Sequence, residues 1–180
     1  MNRDDIFLGE YLEEYEGFYS GRTAVILASG STAPEDFRRT PRRGVLFGIN
    51  TGALIIPNLD FIYYLDGRIE DIVRTHPAKK IGKNKKFEDH IYAGIIPQMG
   101  NSGKECIFAA DFMGFDSIYV CGMDGFSGKR EYWHSSTKEN FRHVDNNYVQ
   151  HLESFRNMKT FLKRPENIKF FNEDLRKIYQ

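Results

Sequence analysis

Five short apolar runs, each followed within a few residues by glycine and a Ser, Thr, Asn or Asp, constrain this chain more than any other feature. The first is Thr23-Ala24-Val25-Ile26-Leu27-Ala28, followed by Ser29-Gly30-Ser31-Thr32. Val45 to Ile49 runs into Asn50-Thr51-Gly52, and Asp60 to Leu65 into Asp66-Gly67-Arg68. Ile91 to Ile96 precedes Gly100-Asn101-Ser102-Gly103, and Ser117 to Cys121 precedes Gly122-Met123-Asp124-Gly125-Phe126. Runs this short and unbroken, rich in β-branched residues, predict strands covered on both faces, as in a parallel sheet.

Between them lie segments with helical spacing. Ser102 to Met113 places Cys106, Ile107, Ala109, Ala110 and Met113 on one side and stops at Gly114. Tyr148 to Lys163 does the same with Leu152, Phe155, Met158 and Phe161-Leu162. Asp4 to Tyr19 predicts an amphipathic helix through Phe7, Leu8, Tyr11, Leu12, Tyr15 and Phe18, stopped at Gly17 or Gly21. The basic, poorly periodic stretch Arg74 to His90 reads as a surface excursion, and Ile168 to Phe171 as a last strand before a short tail. The prediction is an α/β fold: a single doubly wound, mostly parallel, Rossmann-like sheet with helices on both faces. Residues 1–180 form one domain in this reading, with the core over 23–171.

Composition narrows the function classes. At 180 residues with 41% hydrophobic and 28% charged side chains, the chain has the makeup of one globular domain. Lys plus Arg and Asp plus Glu both number 25, so the net charge is zero, which argues against a nucleic-acid-coating protein. The basic stretches Arg38–Arg43 and Lys79–Lys86 then read as solvated surface. No run of eighteen apolar residues exists and the first ten residues are acidic, so neither a membrane span nor a secretion signal is expected. Cys106 and Cys121 fit no metal spacing and read as small buried thiols in a reducing, cytoplasmic setting.

Open parallel sheets bind ligands beyond the carboxyl ends of their strands. All five ends here carry small residues, which let backbone amides approach a ligand, beside side chains that give directed hydrogen bonds. Each end alone is ordinary turn chemistry; together they predict a nucleotide-binding edge. Neither a dinucleotide fingerprint nor a Walker lysine is present. Asn101-Ser102 is the expected cap of the following helix, compatible with an anion at its N-terminus. Asp124, between two glycines, is a ligand-contacting candidate. Of the histidines, His76 and His90 read as surface residues and His151 as structural. His134 and His143, in the loop before the last helix, are candidate general bases near neutral pH. No ligand cluster, DxD pair or GxSxG elbow supports a metal-dependent or Ser-His-Asp mechanism, and no cofactor is expected.

The run NSGKECIFAADFMGFDSIYVCGMDGF, Asn101 to Phe126, resembles a block of small bacterial sialyltransferases, also found in hydroxymethylpterin diphosphokinase-like proteins and in phage proteins. Ala28 to Thr32 stands at the family's phosphate-side loop, with Ser31-Thr32 where the family carries Gly-Pro. Asn50 matches an asparagine after the second strand and Asp66 a cytidine- or sugar-contacting position. Phe126 stands in place of one phosphate-holding tyrosine. The resemblance implies a metal-independent transferase for a nucleotide-activated sugar, with a CMP-sialic-acid-like donor and an inverting displacement. It carries the base onto His143, with His134 in reserve. Ser29, Gly30 and Ser31 would line the phosphate side, and Asn50, Ser102, Gly103 and Asp124 would contact nucleoside or sugar. The alternatives are a Mg-dependent diphosphokinase-type transferase and a non-catalytic nucleotide-binding module.

Overall fold

A computed structural model describes residues 9–50, 58–65, 70–83, 90–123 and 148–180. The elements run β1 (Glu10–Tyr11), β2 (Thr23–Leu27), α1 (Ala33–Arg38), β3 (Val45–Ile49), β4 (Phe61–Tyr63), α2 (Glu70–Arg74), β5 (Lys79–Gly82) and β6 (His90–Tyr92). They continue with α3 (Ser102–Phe112), β7 (Ser117–Cys121), α4 (Tyr148–Lys159), β8 (Ile168–Phe170) and α5 (Glu173–Tyr179). The strands form one eight-stranded sheet in the order β1-β6-β5-β4-β3-β2-β7-β8. Every pairing is parallel, so the fold is the expected Rossmann-like α/β sheet.

Alternation along β2 explains the layers, because successive side chains leave a strand on opposite faces. Ala24 and Ile26 join Cys106, Ile107, Ala109 and Ala110 of α3, Phe155 and Met158 of α4, and Leu175 of α5. Val25 and Leu27 face the other way, with Phe37 of α1 and Val73 of α2. Both faces of the sheet are therefore covered, as the unbroken apolar runs require. Cys106 and Cys121 are buried free thiols, as expected, and burial pushes both up from the ordinary thiol value.

Four expectations need correction. Within the described part of the predicted N-terminal helix, Glu10–Tyr11 is a strand paired with Ile91–Tyr92, and only Leu12–Tyr15 forms a 3-10 turn. Tertiary contacts override the helical spacing there. Gly17 donates its N–H to the Phe112 carbonyl and Tyr19 to the Met113 carbonyl, while the Tyr19 ring stacks on Phe115. The basic excursion begins on the last residue of α2 and contains the interior strand β5, with Ile81 fully buried. Lys80, 2% exposed, lays its stem through the protein and donates its ammonium to the His76 carbonyl at 2.7 Å. His90 is 1% exposed, not a surface residue, and His76 is half-buried, its Nδ1 accepting from the Ala78 N–H. The tail after β8 is a helix, α5, capped by Asn172 and anchored by Leu175 and Tyr179.

Candidate functional site

Chain order fixes where the sheet reverses direction. From β2 the chain moves outward through β3, β4, β5 and β6, then returns to place β7 on the other flank of β2. The switch point therefore lies at the carboxyl ends of β2 and β7, and such a point is where open α/β sheets receive ligands.

The two strand ends are laced together. Ala28 donates its N–H to the Cys121 carbonyl and Gly30 to the Gly122 carbonyl, both at 2.9 Å. The Gly122 N–H in turn donates to the buried Asp36 carboxylate at 3.0 Å, which also accepts from the Thr32 hydroxyl at 2.7 Å. Gly122 has φ +68, and a Cβ there would lie 2.6 Å from the Ala33 Cβ, so only glycine lets α1 begin this close to β7. The Gly30 amide is thus engaged within the fold.

One strand over, Asn50 follows β3 directly. Its φ of +49 puts it in the left-handed region, the one non-glycine residue so placed among the described residues. Its Nδ2 donates to the Ser102 hydroxyl, 3.1 Å away at the first residue of α3. Its Oδ1 is buried and has no hydrogen-bond partner among the described residues. A buried acceptor left unmade costs about 1–3 kcal/mol, so the side chain of Asn50 as well as its backbone stands at a cost to the fold.

The start of α3 completes the edge. Asn101 is its N-cap, with Oδ1 accepting from Gly103 N–H at 2.8 Å and Lys104 N–H at 3.2 Å. The cap therefore occupies the amides that the anion reading of this terminus needed. Gly103 lies against Met123, whose Cε would be 2.4 Å from an added Cβ, and this contact joins α3 to the end of β7. Behind it, Glu105 is fully buried. One carboxylate oxygen accepts from the Tyr63 hydroxyl at 2.8 Å and pairs with the Lys83 ammonium at 3.1 Å; the other accepts from the Met99 N–H at 2.9 Å. Strands β4 and β5 are thereby tied to the first turn of α3. Sequence reasoning passed over Glu105 and Lys104 because charged residues in a helical run read as its solvated face.

Ser29, Gly30, Ser31, Asn50, Asn101, Ser102 and Gly103 thus all fall on the carboxyl edge of the sheet. Asp66, Asp124, Phe126, His134 and His143 lie outside the described residues. His151, in the first turn of α4, packs its ring against Phe155 at 5.0 Å. Burial, with the Lys104 charge adding to it, brings its imidazole down to about 4, so it is neutral at pH 7. Among the described residues no cluster of three or more His, Cys, Asp or Glu forms a metal site, and no helix is long and apolar enough to cross a membrane.

The fold defines the class: a Rossmann-like α/β protein with sialyltransferase-like architecture. The solved structures it is similar to include the monofunctional alpha-2,3-sialyltransferase Cst-I from Campylobacter jejuni, at TM-score 0.59 and 13% identity over 85% of this chain and 76% of that one. They also include the sialyltransferase CstII from the same organism, in complex with a substrate analogue, cytidine-5'-monophosphate. That match has TM-score 0.58 and 15% identity over 85% and 81% of the two chains. An apo alpha-2,3-sialyltransferase from Campylobacter jejuni gives TM-score 0.53 at 14% identity, covering 84% and 76%. No family model and no curated protein matches the sequence.

Proposed function

We propose that the chain is a glycosyltransferase-like protein that binds a nucleotide-activated sugar, with a CMP-sialic-acid-like donor and a histidine base, without a required metal. The observation that carries this reading is Asn50: a left-handed residue with an empty buried acceptor, on the switch-point side of a sheet whose fold is shared with sialyltransferases. That acceptor suits the amino or hydroxyl donors of a nucleoside or sugar. In this reading Ser29, Gly30 and Ser31 line the phosphate side. Asn50, Ser102 and Gly103, with Asp66, Asp124 and Phe126, surround nucleoside and sugar. His143 takes the proton of the acceptor hydroxyl as its oxygen attacks the anomeric carbon; the bond to phosphate breaks and CMP leaves, inverting that carbon. His134 is the reserve base.

Two measurements test it. Thermal-shift titration with CMP, UDP, GDP and ATP should stabilise the protein with CMP above the others, because a ligand that binds only the folded state raises its stability. No shift with any nucleotide would overturn the reading. CMP-sialic acid consumption by wild type against His143→Ala should fall about 100-fold or more in the variant; equal turnover would remove His143 as base.

A further inference from the structure

We propose that Lys104 is the cation against which an anionic group of the ligand is seated, at the N-terminal turn of α3. The inference rests on reading the carboxyl edge as a ligand crevice, and it commits that crevice to an oxyanion: a nucleotide phosphate or the carboxylate of an acidic sugar.

Lys104 is only 7% exposed. Among the described residues its ammonium has no hydrogen bond and no ion pair. The nearby carboxylates are committed elsewhere. Glu105 serves Tyr63, Lys83 and Met99, and Asp111, further along α3, accepts from the Lys163 and Arg164 amides at 2.6 and 3.1 Å. The remaining titratable neighbour, His151 at the head of α4, is neutral at pH 7 and supplies no counter-charge. Burial holds the ammonium below its ordinary value, with only the field of Glu105 opposing. Helical side chains lean toward the N-terminus of their helix, which carries the Lys104 stem toward the end of α3 that stands at the carboxyl edge of the sheet. The positive end of α3 adds to its field. A buried ammonium without a partner destabilises a fold; here it sits two residues along α3 from Ser102, whose hydroxyl accepts from the Asn50 Nδ2.

Lys104→Met, which keeps the stem and removes the charge, separates this role from a structural one. Without ligand the variant should unfold at a higher temperature than wild type; a lysine that only braces the fold would give a lower one. Calorimetric titration uses cytidine, CMP and free sialic acid as probes. Wild type should bind one of the two anions at least tenfold more tightly than Lys104→Met, with cytidine unchanged, and Lys104→Arg should recover most of the loss. Loss confined to CMP identifies the phosphate, and loss confined to sialic acid identifies the carboxylate. Equal anion binding by wild type and Lys104→Met, with cytidine still bound, overturns Lys104 and leaves the nucleotide reading standing. Lys104-dependent binding of sialic acid with no binding of cytidine or CMP does the reverse. Wild type that binds neither anion overturns the assignment outright.

Discussion

A non-glycine residue in the left-handed region costs on the order of 1 kcal/mol and persists only where its surroundings fix it. At Asn50 those surroundings are the end of β3 and the hydroxyl of Ser102. Two substitutions separate the backbone from the side chain. Asn50→Ala keeps the strain and loses the hydrogen bond, and should destabilise by about 1–2 kcal/mol in urea unfolding. Asn50→Gly loses the same bond but relaxes the backbone, and should be about 1 kcal/mol more stable than the alanine variant. If the two are equally stable, the φ of +49 carries no strain. Both should lose nucleotide affinity alike, because the empty Oδ1 is gone in each. Nothing in the sequence singled out that strain: Asn50 entered as a small polar residue after a strand, and its conformation depends on α3, which begins fifty-two residues later.

Helix α3 shows which elements a sequence discloses. Its period, the Asn101 cap and the Gly114 stop are local signals, and the observed helix ends one residue from its predicted limit. The strands β2, β3 and β7 were equally legible, because apolar runs between turn residues need no distant partner to be recognised. By contrast β5 has one strongly apolar side chain among two lysines and a glycine, and only its position between β4 and β6 makes it a strand. The region 10–19 failed for the opposite reason, since a good helical spacing lost to pairing with β6 and to the backbone of α3. Two substitutions in α3 test its ties to the edge. Asn101→Ala should cost about 1 kcal/mol of stability through loss of the cap. Glu105→Gln should cost more, about 2–4 kcal/mol, since it leaves the Lys83 ammonium and the Tyr63 hydroxyl facing a neutral amide in a buried setting. A smaller loss for Glu105→Gln than for Asn101→Ala would mean that the buried carboxylate is not what holds α3 to β4 and β5.

For the molecule as a whole, the covered sheet places its titratable groups in unequal positions, and pH reads them out together. His151 is the clearest case: folded, its imidazole stands at about 4; unfolded, it returns to an ordinary 6.5. Between those values the unfolded chain binds a proton that the folded chain refuses, so stability is fully present above about pH 6.5 and falls as pH drops toward 4. After allowance for the partial exposure of the ring, the loss is on the order of 2 kcal/mol. Asp111 acts in the opposite sense, because burial raises its carboxyl; it gains a proton in the folded state first and offsets part of the acid loss at the lower end. Urea unfolding at pH 7 and pH 5, compared between wild type and His151→Gln, isolates this histidine from the others. Wild type should lose roughly 1–2 kcal/mol between the two, and His151→Gln should show a much flatter profile. A variant with the wild-type slope would place the acid sensitivity elsewhere. Because the Lys104 charge helps to hold the His151 imidazole down, a bound anion that neutralises that ammonium should also raise the histidine's affinity for protons and shrink the wild-type slope, tying the acid response of the whole fold to occupation of its carboxyl edge.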